Sequence, residues 1–137
     1  MKISIIQPDT VWENKSRNFE NLASLISPLY NKTDIVILPE MFNTGFSMDP
    51  EHFNESPGAE TFIWLKEVAR IGNFGICGSY MVNEKSRFYN RLVFVTTENE
   101  FWYYDKRHMF SMGEEDKFFA AGKSGLVFTY MDIRISP

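Results

Sequence analysis

The stretch that most constrains this chain is Asp34-Ile-Val-Ile-Leu-Pro-Glu40. A run of four apolar residues, mostly β-branched and closed by a proline, reads as a short strand buried on both faces, as in a parallel sheet. Pro39 cannot donate to a sheet ladder, so regular pairing is expected to end there. Glu40 then stands at the carboxyl end of a buried strand, where open α/β sheets place their ligands. A lone glutamate after a strand is more simply a loop or capping carboxylate. A functional role needs a second charged group brought to the same place, because a buried charge must be paired or shifted in pKa.

A buried parallel strand requires neighbours and helical cover, and the flanking sequence supplies both. Ile3 to Gln7 reads as a strand closed by Pro8. Glu13 to Tyr30 carries Phe19, Leu22, Leu25, Ile26 and Leu29 at helical spacing, and Pro28 is expected to end that helix early. Asn31 to Asp34 turns into the Glu40 strand. The Gly-, Pro-, Asn- and Asp-rich stretch Asn43 to Pro57 is a long connection, of a length that often carries function. Gly58 to Ile71 is a second helix with Phe62, Leu65, Val68 and Ile71 on its apolar stripe, and Gly72-Asn73 suits its C-cap. Phe74 to Val82, Phe88 to Thr97 and Phe101 to Tyr104 form an antiparallel meander. Gly125 to Met131 and Ile133 to Ser136 are further strand material. Strand–helix–strand–helix followed by several strands implies a layered α/β sandwich more than a doubly wound sheet.

Composition narrows the function. The chain has 137 residues, 44% hydrophobic and 16% aromatic, enough for a substantial core. Fourteen basic against 18 acidic residues give a net charge of −4 with no basic stretch, which argues against nucleic acid or an anionic membrane as partner. Cys77 is the single cysteine, so no internal disulfide forms. The N-terminal residues run straight into a strand, with no apolar segment of signal-peptide or membrane-spanning length. The expectation is a cytoplasmic protein. Gly72, Gly75 and Gly78 are not spaced as a dinucleotide fingerprint, and no phosphate loop appears, so no cofactor is expected. His52 and His108 have no ligand spacing with Cys77 or each other, so no metal is expected either. Cys77, in Gly75-Ile-Cys-Gly-Ser-Tyr80, reads as a small buried hydrophobe rather than a reactive thiol.

The second informative stretch is Trp102-Tyr-Tyr-Asp-Lys-Arg-His-Met-Phe110, an aromatic strand leading into Asp105, Lys106, Arg107 and His108. Its simplest reading is a strand leaving the core for water. Its functional reading is a lysine held beside a carboxylate, where a fixed positive charge stabilises a developing oxyanion. Glu114-Glu-Asp116 follows as loop, and it too reads first as solvated surface.

Together these stretches resemble the nitrilase superfamily of carbon–nitrogen hydrolases, and within it the ω-amidase branch, which acts on the terminal amides of 2-oxo acids. Leu38-Pro-Glu-Met-Phe-Asn-Thr-Gly-Phe46 is similar to the family's catalytic-glutamate segment, and Tyr104-Asp-Lys-Arg-His-Met-Phe110 to its catalytic-lysine segment. Ile6-Gln7, Asn14 and Tyr89-Asn90 also fall where the family has similar residues. The resemblance implies a four-layer α-β-β-α sandwich, with residues 1–137 the N-terminal portion of one such domain. It implies a Glu–Lys–Cys triad: Glu40 as general base, Lys106 stabilising the tetrahedral intermediate, and a cysteine thiolate forming a thioester and releasing ammonia. Glu115, seven residues before Gly122, matches a second glutamate that positions the lysine and substrate, with Glu114 its alternative. Phe42, Phe46 and Phe110 are candidates to line the substrate pocket, core packing being the other reading of aromatic residues near strand ends.

The family's nucleophilic cysteine lies just after a strand resembling Asp132-Ile-Arg-Ile-Ser-Pro137, so it is expected within about five residues past Pro137. The implied partners are a small amide substrate and either a second copy of the protein or a complementary C-terminal portion. The competing class is a non-catalytic relative serving as an interaction or scaffold module. A sandwich without its second half exposes sheet edges and an apolar face. Residues 1–137 expressed alone are therefore expected to be poorly soluble or to pair with a complementary fragment. A sharp cooperative melt from a monomer of these residues would count against this.

Overall fold

The helix-period and strand-period segments resolve into one mixed five-stranded sheet, with both long helices on one face and a two-stranded hairpin on the other. A computed structural model describes residues 1–137. Strands β1 (Ile3–Ile5), β2 (Ile35–Ile37), β3 (Gly75–Glu84), β4 (Arg87–Val95) and β5 (Phe101–Asp105) lie side by side in sequence order. The first three are parallel and the last three antiparallel, with Ile3 opposite Ile35, Ile35 opposite Gly75 and Cys77 opposite Phe94. The β3–β4 turn places Lys85 and Ser86 at φ 52° and 59°, as a two-residue hairpin of right-handed twist requires. The meander agrees with the sequence expectation.

Helix α1 (Lys15–Ile26) starts at Asn14, whose side chain accepts from the Arg17 N–H, and ends in a 3₁₀ turn at Ser27–Leu29 containing Pro28. Pro28 does end the helix. Helix α3 (Glu60–Gly72), which follows the four-residue α2 (Pro50–Phe53), is closed by Asn73 in the left-handed conformation at φ 55°. The helical stripes are narrower than the spacing implied. Leu25 and Ile71 are 46% and 45% exposed, while Asn18, Thr61, Ala69 and Gly72 are buried. Close packing against the sheet selects small and polar residues at the contact line in place of the outlying apolar ones.

Both long helices pack on one sheet face. Leu22 and Ile26 of α1 and Leu65, Val68 and Ala69 of α3 share a core with Val36, Ile76, Tyr80, Val93 and Val95. Each fully buried aliphatic side chain there contributes roughly 1.5–3 kcal/mol. On the other face, Ile35, Ile37, Cys77, Phe94 and Trp102 meet the hairpin β6 (Phe128–Tyr130) and β7 (Ile133–Ile135), with Phe128 stacked on Trp102 at 4.5 Å. Ile3 and Ile5, in register with Ile35 and Ile37, are 52% and 70% exposed. Two expected loops contain structure: α2 interrupts Asn43 to Pro57, and a 3₁₀ turn (Ser111–Gly113) leads into α4 (Glu115–Phe118).

Gly78 is fixed by contact. A Cβ there would lie 2.6 Å from the Phe42 ring and 2.9 Å from the Leu38 Cβ. Gly78→Val is expected to destabilise the protein by about 1–3 kcal/mol through overpacking. Its denaturation midpoint should fall with an unchanged slope, and an unaltered midpoint would mean the site can yield.

Candidate active site

Backbone hydrogen bonds set Glu40 in place. The ladder continues past β2 as the Leu38 N–H donates to the Cys77 carbonyl at 2.8 Å. Pro39 and Glu40 make no such bond. Then the Met41 N–H donates to Ser79 Oγ at 3.0 Å and the Phe42 N–H to the Ser79 carbonyl at 3.1 Å. Met41 adopts a positive φ of 47°, so the chain turns sharply after the glutamate. The loop beyond is held by the buried Glu55, which accepts from Lys15 Nζ at 2.9 Å, the Thr61 N–H at 2.8 Å and Asn43 Nδ2 at 3.4 Å. Sequence reading gave no sign of this network, because Lys15 lies far away along the chain.

Lys106 arrives from the end of β5, on the far edge of the sheet from β2. Strand alternation sends Asp105 to the helix face, where it pairs with Arg91 through Nε at 2.6 Å, and sends Lys106 to the other face. The Lys106 N–H donates to the Asn90 carbonyl at 2.9 Å, and its carbonyl accepts from the Gly122 N–H at 2.9 Å. Gly122 must be glycine, because a Cβ would overlap the Asp105 carbonyl.

The side chains converge. Lys106 Nζ donates to Glu40 Oε1 at 2.7 Å and to Glu115 Oε2 at 2.8 Å. Asn90 Nδ2 donates to Glu40 Oε1 at 2.7 Å and to Glu115 Oε1 at 3.0 Å. The Phe110 N–H adds a third donor to Glu115, at 2.7 Å. The Lys106 ammonium also lies 5.3 Å from the centre of the Phe46 ring, which meets Phe110 edge-on. Exposure is graded: the Glu115 side chain is 0% exposed, Lys106 25% and Glu40 45%. The cluster is therefore sealed at Glu115 and open at Glu40.

Burial by itself would lower the Lys106 pKa, but hydrogen bonds from Lys106 to Glu115 and Glu40 outweigh it and hold the ammonium above its ordinary value. Burial likewise opposes ionisation of Glu115. The donors Asn90, Lys106 and the Phe110 N–H outweigh it and depress that carboxyl. Both groups are charged at neutral pH.

A cavity of about 250 Å³ lies beside the cluster, lined by Leu38, Pro39, Glu40, Ser79, Asn90, Leu92, Tyr104, Lys106 and Pro137. Ser79, Leu92 and Tyr104 form one row across β3, β4 and β5 and make its floor.

Of the sequence candidates, Glu40, Lys106 and Glu115 come together; Phe46 and Phe110 stand beside Lys106 and Glu115 but are not among the residues that line the cavity. Glu114, the alternative to Glu115, is exposed and pairs with Lys117 at 2.6 Å. Phe42 does not belong to the pocket. It is 1% exposed and packs in the helix-side core against Phe19, Trp64 and Tyr80, because the turn at Met41 rotates it to the opposite face. Cys77 lies among the apolar residues beneath the hairpin, where burial pushes its thiol up to about 12. No cluster of three or more His, Cys, Asp or Glu side chains has metal-binding geometry, and no helix is long and apolar enough to cross a membrane. In the sequence Asn90 stands out only as part of the family-like dipeptide Tyr89-Asn90. Its parity with Leu92 and Phe94 on β4 was the available signal.

The family model for carbon-nitrogen hydrolases matches residues 2–135. The chain belongs to the carbon–nitrogen hydrolase family. Among its carbon–nitrogen hydrolase relatives is the omega-amidase YafV of Yersinia enterocolitica, 31% identical over 137 residues, and that of Escherichia coli strain K12 is 28% identical. Both alignments cover 100% of this chain and 53% of the relative, so the chain spans about half the length of the curated relatives it matches. A carbon–nitrogen hydrolase superfamily protein of Xanthomonas campestris, crystallised with an arsenic adduct in its active site, superposes with a TM-score of 0.96 at 33% identity. That match covers 100% of this chain and 52% of the other. A nitrilase-superfamily member from Saccharomyces cerevisiae has the same fold, with a TM-score of 0.80 at 18% identity over 98% of this chain and 53% of its own. The motif resemblance to the nitrilase superfamily and its ω-amidase branch agrees with these similarities.

The charge pattern fixes a pH dependence. A depressed carboxyl such as Glu115 contributes stability that is full above its ordinary value of 4.5 and lost as pH falls through the lower folded value. Lys106, raised, contributes fully below 10.5 and loses that contribution as pH rises through its higher folded value. Glu115→Gln is expected to cost about 1–3 kcal/mol at neutral pH and to flatten the acid side of the stability profile. Denaturant titrations across pH measure this, and an acid slope identical to the parent's would disconnect Glu115 from folding.

Proposed function

We propose that residues 1–137 are the N-terminal part of an amidase that hydrolyses the terminal C–N bond of small 2-oxo acid amides. The observation that carries the reading is the Lys106 ammonium at 2.7 Å from Glu40 and 2.8 Å from Glu115 at the edge of a cavity. The similarity to proteins named omega-amidase supports the substrate class. The nucleophile is a cysteine carried by chain that follows Pro137, itself a lining residue of the cavity. The same continuation supplies the second half of the sandwich and covers Ile3 and Ile5.

In this mechanism Glu40 takes the thiol proton, and the thiolate attacks the amide carbon. Electrons move onto the carbonyl oxygen, and Lys106, already charged, stabilises the oxyanion. The proton held by Glu40 passes to the departing nitrogen, ammonia leaves, and a thioester remains. Glu40 then deprotonates water, which attacks the thioester, releasing the acid and restoring the thiol. Glu115 takes no proton; buried and ionised, it holds Lys106 in place. The exposure gradient suits these roles, since the proton-exchanging carboxylate is the open one.

The full-length protein is expected to release ammonia from 2-oxoglutaramate or 2-oxosuccinamate. Glu40→Gln should lower kcat by about 10²–10⁴-fold while the protein stays folded. Turnover by that variant at the parent rate would remove Glu40 from the mechanism. A stop codon directly after Pro137, with soluble inactive protein, would favour an interaction module instead.

A further inference from the structure

Asn90 is the one side chain besides Lys106 that touches both glutamates. It is 2% exposed, on β4, with β3 on one side and β5 on the other. A primary amide nitrogen has two N–H bonds, and Asn90 uses them on different carboxylates: Glu40 Oε1 at 2.7 Å and Glu115 Oε1 at 3.0 Å. The alternative amide orientation would turn a carbonyl oxygen toward two carboxylates, so the donor assignment is fixed by charge. Its main-chain carbonyl also receives the Lys106 N–H at 2.9 Å. One residue thus anchors the lysine's backbone and ties together both acids that the lysine bridges.

The arrangement has a consequence for Glu40. Its Oε1 accepts from both Lys106 and Asn90, whereas no donor of the chain reaches Oε2. With Oε1 held from two sides, the carboxylate plane is fixed and Oε2 is the oxygen left to exchange protons.

We propose that Asn90 is a positioning residue: it clamps Glu40 Oε1 and Glu115 at a set separation, so that Glu40 presents Oε2 as the basic atom. This rests on the reading of Glu40 as general base. The clamp itself is independent of that reading, and the depressed carboxyl of Glu115 agrees with it.

The test uses the full-length protein with Asn90→Ala and the near-isosteric, uncharged Asn90→Leu. Folding is checked by circular dichroism and thermal melting, and Asn90→Leu keeps the test open if Asn90→Ala does not fold. Removing the donor is expected to lower kcat about 100-fold, with KM changed by less than about threefold. The acid limb of the kcat/KM profile should move to higher pH, because the carboxylates lose a bond that favours their charged form. Carbon-13 titration of glutamate carboxyls is the readout that needs no activity, and Glu115 should titrate higher in both variants. A folded variant with parent kcat and an unmoved acid limb would overturn the proposal. So would an unchanged Glu115 titration. If the parent hydrolyses no amide, the carboxyl titration still decides the clamp, and only the functional reading falls.

Discussion

A single ammonium shared by two carboxylates is the interaction on which the site depends. Lys106 reaches Glu40 and Glu115 at hydrogen-bond distance, and the cluster carries a net charge of −1 when all three groups are ionised. Isolated, each of these charges would be costly to withdraw from water. Together, with the Asn90 amide and the Phe110 N–H as further donors, the charged forms of Lys106 and Glu115 prevail over burial. Three parts of the chain must meet for this to happen: the end of β2, the end of β5 and the start of α4. The fold brings them to one place.

The sheet separates stability from chemistry by alternation. Residues of one parity, such as Val36, Ile76, Tyr80 and Val95, face the helices and form the main core. Residues of the other parity, such as Ser79, Asn90, Leu92 and Tyr104, face the cavity and the acidic cluster. Asp105 and Lys106 show the rule at consecutive positions: one makes a salt bridge beneath the helices, the other enters the site. A one-residue slip in β4 or β5 would exchange those roles, so the same register that fills the core also aims the lysine.

Much of this was legible from residue order. The unbroken apolar run from Ile35 to Leu38, the helical period around Leu22 and Leu65, the stop at Pro28 and the cap at Asn73 are local signals, and local signals survive folding. Glu40, Lys106 and Glu115 stand out only through motif resemblance, since the residues by themselves read as a loop or capping carboxylate in the first case and as solvated charge in the other two. What escaped was non-local. The Glu55–Lys15–Thr61 network joins distant segments, and the Asn90 clamp exists only once three strands are in register. Of the two readings open for Phe42 the core one holds, because the positive φ at Met41 turns the chain away from the cavity that Glu40 lines.

The central claim is that partners outweigh burial at Lys106. Nitrogen-15 titration of the Lys106 side chain in the full-length protein measures this directly. The account predicts that the ammonium persists above the ordinary lysine value of 10.5. A Lys106 that loses its proton below that value would mean that desolvation dominates over the two carboxylates, and it would contradict the account.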